Sequence, residues 1–256
     1  MTTTVTRYEL RNSAAWITLD SPGNRNALSA ALVGELGAHL RSAFDDSAVR
    51  AIVLTGNGPA FCAGADLKNR GDAVVPGSGA KNPFVEILRM MWDGPKPVIV
   101  AANGHAFGGG VGLVAVADIA IAVDTAMLSF SEVRIGVIPA MISVVVLPKL
   151  GVHQAMRLFL TGARFTAGAA RDYGLVHRVV PPADLVSAVQ EEVDAIALGG
   201  PHAVAEAKRL IRTVARVSMD EGFAYAEAKI AEIFASPEAA EGMMAFATKR
   251  KPSWAT

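Results

Sequence analysis

Hydrophobic positions change period several times along the chain, and the changes divide it into elements. Val5–Leu10 and Ala14–Leu19 alternate well enough for two strands joined around Arg11-Asn12-Ser13. Ser21-Pro-Gly-Asn24 is a turn cluster. Apolar side chains then recur at 28, 32, 33, 36, 40 and 44, so Leu28–Phe44 is predicted as an amphipathic helix. Two short β-branched runs, Ala51–Thr55 and Pro97–Ala102, read as buried strands. Between them, residues 69–82 are rich in Gly, Pro and charge and are expected to form a mobile loop, and Pro83–Trp92 is expected to be helical. Further on, Val111–Ala117 predicts a helix, and Ile119–Ala122 and Met127–Phe130 short strands. Val152–Thr161, Thr166–Tyr173 and Leu185–Ala197 predict helices, with Leu175–Val180 a strand between the last two. From Pro201 onward the strand pattern disappears, and helices are expected at Pro201–Ala215, Met219–Ala235 and Pro237–Thr248. The organisation is therefore an α/β core over residues 1–200 followed by a helical region over 201–256.

Composition narrows the class. The 256 residues are 52% hydrophobic but only 6% aromatic, which suits close helix–sheet packing around one sizeable core. Twenty-four basic residues balance 24 acidic ones, so no global field draws nucleic acid or an anionic membrane. One cysteine excludes an internal disulfide and fits a reducing compartment. The N-terminal residues lack the apolar stretch of a signal peptide, and the most apolar region, Pro97–Val123, is interrupted by Asn103, His105, Asp118 and five glycines. A cytoplasmic protein without a membrane span is expected.

Both buried strands end in small-residue turns. One runs on to Phe61-Cys-Ala-Gly-Ala-Asp66, the other to Asn103-Gly-His-Ala-Phe-Gly-Gly-Gly110. Two such turns can present two backbone N–H groups to one carbonyl oxygen and stabilise negative charge on it. The run Gly108-Gly-Gly-Val-Gly112 lies where a strand hands over to a helix. It serves either close ligand approach at a helix N-terminus or tight helix–sheet packing. The glycines after Gly56 do not have dinucleotide-binding spacing, since position 61 is Phe and no acidic residue follows a second strand. A Walker lysine, a G-x-S-x-G elbow and an HExxH metal pair are all missing from the sequence.

Cys62, between Phe61 and Ala63 and with no local base, reads as a small buried residue rather than a nucleophile. His105 either lines the site or is structural; His153, His177 and His202 fall at element boundaries and read as surface or capping residues. Glu132 lies in the apolar segment Phe130–Pro139. It is either a desolvated carboxylate suited to proton transfer or half of a buried ion pair with Arg134.

Six ordered motifs resemble the enoyl-CoA hydratase/isomerase, or crotonase, superfamily over essentially the whole length. They are Arg25-Asn-Ala-Leu28, Ala60–Lys68, Lys96–Gly104, Gly108-Gly-Gly110, Ser131–Pro139 and Glu241–Arg250. The resemblance implies a crotonase (ClpP-like) spiral of ββα units with a C-terminal helical trimerisation region, and assembly as a homotrimer or a hexamer made of two trimers. It implies an acyl-CoA thioester substrate, no metal and no cofactor beyond the CoA moiety. Carried over residue by residue, it implies oxyanion donors at the backbone N–H of Ala65 and Gly109, beside Gly110, and an acid/base at Glu132. The CoA thioester would meet Arg25, Ala27, Ala63, Asp66, Leu67, Lys68 and Gly110, with Arg25 and Lys68 as phosphate partners, and Phe246 and Lys249 reaching it from the tail of a neighbouring subunit.

One position departs from the pattern. Hydratases of the superfamily carry a second glutamate just after the triple glycine, where this chain has Gly112. Glu132 alone must then take a proton from water and return one to carbon. The segment after Pro139 also lacks the glycine-rich run of fatty-acid hydratases and is more similar to hydratases of branched substrates such as 3-methylglutaconyl-CoA. Hydration of a 2-enoyl-CoA is the expected activity. Δ3,Δ2-enoyl-CoA isomerisation by one glutamate, or acyl-CoA binding with little turnover, are the alternatives.

Overall fold

A computed structural model of the chain describes residues 4–68 and 82–255. The loop expected over 69–82 therefore lies outside the described residues, apart from Asn82. Elements are numbered along the chain. The larger sheet contains β1 (Thr6–Arg11), β2 (Ala14–Leu19), β3 (Ala51–Gly56), β5 (Val98–Ala102), β7 (Ile119–Val123) and β10 (Arg178–Val180), in the spatial order β1-β2-β3-β5-β7-β10. Only β1 is antiparallel to its neighbour. The central strands β3 and β5 are buried on both faces for most of their length, which is why they read as continuous apolar runs rather than alternating ones. The smaller sheet has the order β4 (Ala60–Cys62), β6 (His105–Phe107), β8 (Met127–Ser129) and β9 (Arg164–Thr166).

The parallel strands β3, β5 and β7 are each followed by a turn, a short strand in the second sheet (β4, β6 and β8) and then a helix. That is the ββα unit, and its repetition gives the expected α/β spiral. The helices of the core are α1 (Ala30–Asp45), α2 (Pro83–Asp93), α3 (Gly109–Val116), α4 (Ala140–Thr161), α5 (Ala167–Asp172) and α6 (Leu185–Ala197). Seven of the eight residues of α3 are buried, consistent with its uninterrupted apolar sequence. The C-terminal region is helical: α7 (Pro201–Val214), α8 (Met219–Phe234) and α9 (Pro237–Ala247). Charge ties α7 to the core. Lys208 donates to the Met91 and Lys96 carbonyls at 3.0 and 2.9 Å and pairs with Asp118 at 2.8 Å. Arg212 pairs with Asp118 at 2.5 Å and lies 4.0 Å from the Trp92 ring centroid.

Several boundaries differ from expectation. Helix α1 starts at Ala30, not Leu28, because Ser29 is the N-cap and accepts from the Leu32 amide at 3.3 Å; Leu28 pairs instead with Ala65. Likewise Thr166 caps α5 rather than opening it. The helix expected from Val152 is present, but a further helix that was not expected starts at Ala140, runs past Pro148 and meets it at a kink at Gly151, whose φ of 67° and ψ of 162° are non-helical. Of Leu175–Val180 only Arg178–Val180 joins the sheet. Strands β4, β6 and β9, three residues each, were not expected, being too short to display a period. Among the described residues no helix is long and apolar enough to cross a membrane, and no cluster of His, Cys, Asp and Glu is placed to hold a metal.

Candidate active site

The short strands bring the two small-residue turns together. β4 and β6 pair in parallel, with Ala60 opposite His105 and Cys62 opposite Ala106, so their C-terminal ends emerge side by side. Gly64 follows β4 with a left-handed φ of 84°. A Cβ there would lie 2.7 Å from the Phe107 carbonyl oxygen and 3.1 Å from the Gly109 nitrogen. At Gly110 a Cβ would lie 2.3 Å from the Cys62 carbonyl oxygen. Glycine is required at both positions because the two backbones touch. The Arg25–Leu28 segment lies along the first turn: the Ala63 amide donates to the Arg25 carbonyl at 3.0 Å and the Leu28 amide to the Gly64 carbonyl at 2.8 Å. Neither the Ala65 nor the Gly109 amide has an acceptor among the described residues. Gly109 opens α3, where no intrahelical acceptor exists and the helix dipole favours negative charge.

Two asparagines hold these turns, and the sequence reading did not single them out. Asn26 is fully buried; its amide group donates to the carbonyls of Asn57, Ala60 and Phe61 at 3.0, 2.9 and 3.2 Å, and its oxygen accepts from the Ser21 amide at 2.8 Å. Asn103 accepts from the Gly56 amide and donates to the Gly58 carbonyl, both at 2.9 Å, locking the end of β5 to that of β3. The available signal was an asparagine beside a turn rich in otherwise unpaired backbone groups.

Glu132 lies in the first turn of the short helical segment Ser131–Ile135 and reaches the same place. A Cβ at Gly108, whose φ is 50°, would lie 2.9 Å from Glu132 Oε1. Glu132 Oε2 is buried without a hydrogen-bond partner among the described residues, and burial raises the carboxyl above its ordinary range. Arg134 does not pair with it. The Arg134 guanidinium lies against Gly162 and donates to the Thr161 carbonyl at 3.4 Å. Of the two readings of Glu132, the structure favours the unpaired, desolvated carboxylate.

Gly112 is one turn into α3. A Cβ there would lie 2.3 Å from Ile142 Cγ2, and Ile142 is 3% exposed. Leu28 Cδ1 and Phe84 Cζ close over Gly109, at 2.6 and 3.4 Å from its Cβ position. The wall beside the two amides is therefore apolar.

The other expected site residues are distributed as follows. Arg25 and Lys68 are exposed near the first turn, Leu67 is half-exposed, Asp66 accepts from the Lys68 amide at 3.1 Å, and Ala27 is buried. Phe246 projects from α9 with 88% of its surface exposed, and Lys249 follows it with a left-handed φ of 53°. Cys62 is fully buried, and burial pushes its thiol up to about 12, so it is not a thiolate nucleophile. His105 Nδ1 accepts from the Met127 amide at 3.1 Å. His177 is more than a surface residue: its Nδ1 accepts from the Ala120 amide at 3.1 Å, and burial lowers its pKa.

Known proteins agree with this architecture. Residues 9–256 match the family model described as enoyl-CoA hydratase/isomerase. The chain is 35% identical over 250 residues, 95% of each protein, to a carnitinyl-CoA dehydratase of Proteus mirabilis. Solved structures similar to it include an enoyl-CoA hydratase/isomerase from Marinobacter aquaeolei, at TM-score 0.90 and 35% identity over 98% of this chain and 99% of that one. An enoyl-CoA hydratase from Mycobacterium smegmatis matches at TM-score 0.89 and 30% identity over the same shares. The chain belongs to the enoyl-CoA hydratase/isomerase family and has its crotonase fold.

Proposed function

We propose that this protein catalyses the reversible addition of water to a 2-enoyl-CoA thioester, with Glu132 as the one acid/base. The observation that carries the reading is the contact between the Gly64 and Gly109 turns with the Glu132 carboxylate held against Gly108. In this scheme the thioester oxygen accepts from the Ala65 and Gly109 amides. Water oxygen bonds to Cβ while Glu132 takes one of its protons, and the π electrons move onto the thioester oxygen as an enolate. The enolate then collapses as Glu132 returns a proton to Cα. Burial raises the Glu132 carboxyl above its ordinary range, which makes it a better proton acceptor from water than an ordinary carboxylate. Run in reverse, the same steps dehydrate a 3-hydroxyacyl-CoA, the sense in which the Proteus relative is named.

The CoA is held by Arg25, Lys68 and the Ala63–Lys68 turn, with Phe246 and Lys249 supplied by a neighbouring subunit of a trimer or hexamer. No further cofactor enters the scheme. The methyl branch at Cβ of an acyl chain of the 3-methylglutaconyl kind would pack on the apolar wall of Leu28, Phe84 and Ile142, with its distal carboxylate directed away from that wall.

Ile142 in the space beside Gly112 favours a second reading. With one carboxylate, moving a double bond from Δ3 to Δ2 needs only a proton taken from one carbon and returned to another. Incubation with a 2-enoyl-CoA and a 3-enoyl-CoA separates the two: water uptake supports hydration and bond migration supports isomerisation. Glu132→Gln is expected to abolish turnover while CoA-ester binding persists, and full activity in that variant would overturn the role of Glu132.

A further inference from the structure

A basic cavity opens on the outer face of the smaller sheet. Phe107, Ser129 and Arg164 are register partners across β6, β8 and β9, so Arg164 and Phe107 share one face with a small residue between them. The Arg164 guanidinium carbon lies 5.5 Å from the Phe107 ring centroid, an arrangement that orients a long side chain with no ion-pair partner among the described residues. The cavity, of about 340 Å³, is lined among others by Arg25, Ala63, His105, Phe107, Met127 and Arg164.

Its charge is one-sided. No carboxylate is among the described residues lining it, and neither arginine forms an ion pair among the described residues. His105 accepts at Nδ1, which leaves Nε2 as the N–H of the neutral ring. Every polar side chain facing the cavity is therefore a hydrogen-bond donor, in a chain whose overall charge is balanced. Such a lining calls for an anion rich in acceptors, and the apolar surface of Phe107 and Met127 suits a flat ring beside it. The cavity also adjoins the two turns. Ala63 and Phe107 directly precede Gly64 and Gly108, and Arg25, with a left-handed φ of 58°, is bonded through its carbonyl to the Ala63 amide.

We infer that Arg164 is a phosphate-binding residue, which together with Arg25 holds the phosphorylated adenosine end of the CoA thioester in this cavity. The inference rests on the enoyl-CoA reading above and extends it to a residue on β9, 99 positions from Ala65 of the first turn and 55 from Gly109 of the second. Steady-state kinetics on a CoA thioester and on the matching pantetheine thioester, which lacks the nucleotide, test it. Arg164→Gln is expected to raise KM for the CoA thioester about tenfold at unchanged kcat and to leave the pantetheine thioester unaffected. Arg164→Lys keeps the charge but not the fork, and recovers part of the loss. An unchanged KM for the CoA thioester in Arg164→Gln, or an equal rise for both thioesters, overturns the assignment. Calorimetric binding of CoA separates the two levels. Wild-type protein that does not bind CoA overturns the enoyl-CoA reading together with this one; equal binding by wild type and Arg164→Gln overturns only the role of Arg164.

Discussion

Ile142 fills the space that a side chain at Gly112 would need. A Cβ at position 112 would lie 2.3 Å from Ile142 Cγ2 and 3.0 Å from Ile142 Cβ, and both residues are buried. The absence of a side chain at position 112 is thus a matched pair of positions rather than one substitution. A hydrophobic side chain from α4 occupies what α3 leaves open, so a carboxylate side chain does not fit at 112 by one change.

Gly112→Glu alone is expected to cost stability by overpacking, about 1–3 kcal/mol plus the burial of a carboxyl. Ile142→Ala alone leaves a cavity and costs about 2–5 kcal/mol. The double variant should lose less than the sum, because each change makes room for the other. Urea denaturation of the four proteins measures the coupling. Strict additivity would show that the two positions do not compete for one space.

Gly64→Ala is expected to lower turnover far more than it lowers stability. The substitution combines a strained φ of 84° with a Cβ 2.7 Å from the Phe107 carbonyl oxygen, so the first turn must move away from Gly109. Displacing one donor of an amide pair costs about 10²–10³ in rate. Gly23→Ala is the control, since a Cβ at Gly23 meets nothing within 4 Å. Equal kcat in wild type and Gly64→Ala would show that the proximity of the two turns is not used in the reaction.

The sequence carried much of this because its strongest signals are local. The apolar runs that became β3 and β5, the periodicity of α6, which spans Leu185–Ala197 as expected, and the glycine turns all depend on neighbours in the chain. What it did not carry depends on distant partners. β4 and β6 are three residues long and are defined by pairing with distant partners, β4 with β6 and β6 also with β8, yet the β4–β6 pairing makes the turns converge. The occupation of the Gly112 space by Ile142 lies thirty positions away in sequence, and the anchoring of the turns by Asn26 and Asn103 is visible only once their carbonyl partners are known. The separation of Glu132 from Arg134 was undecidable locally, because the choice is made by the end of α4, where Arg134 finds the Thr161 carbonyl.

Glu132 should make the folded protein less stable as pH rises. Burial raises its folded-state pKa above the unfolded value, so the protonated form is favoured in the native state. The resulting stabilisation is fully present below the unfolded carboxylate pKa and is lost as pH rises through the raised native one. Glu132→Gln, neutral at every pH, escapes that loss. Its melting temperature is expected to exceed that of wild type at pH 7–8, with the gap closing toward pH 4. A constant gap between pH 4 and 8 would mean that the carboxylate is not desolvated.

Asn26 should tolerate removal of its side chain better than conversion to an acid of the same shape. Asn26→Ala leaves the carbonyls of Asn57, Ala60 and Phe61 and the Ser21 amide without their buried partner, at a cost of about 1–3 kcal/mol. Asn26→Asp keeps the acceptor for Ser21 but turns a second oxygen, in place of the donor, toward three carbonyl oxygens. An ionised carboxylate facing three acceptors in a buried site costs more than an absent side chain, so Asn26→Asp is expected to be the less stable variant at pH 7. Its native pKa must be raised, so its stability should recover relative to Asn26→Ala as pH falls and the carboxyl becomes a donor. Denaturant midpoints of both variants at pH 5 and pH 7 check the order and its change. Because the same side chain carries the segment that positions Ala63 and Ala65, both variants should also lose turnover at concentrations of denaturant where they remain folded. An Asn26→Asp variant as stable as wild type at pH 7 would show that the amide does not bridge these carbonyls.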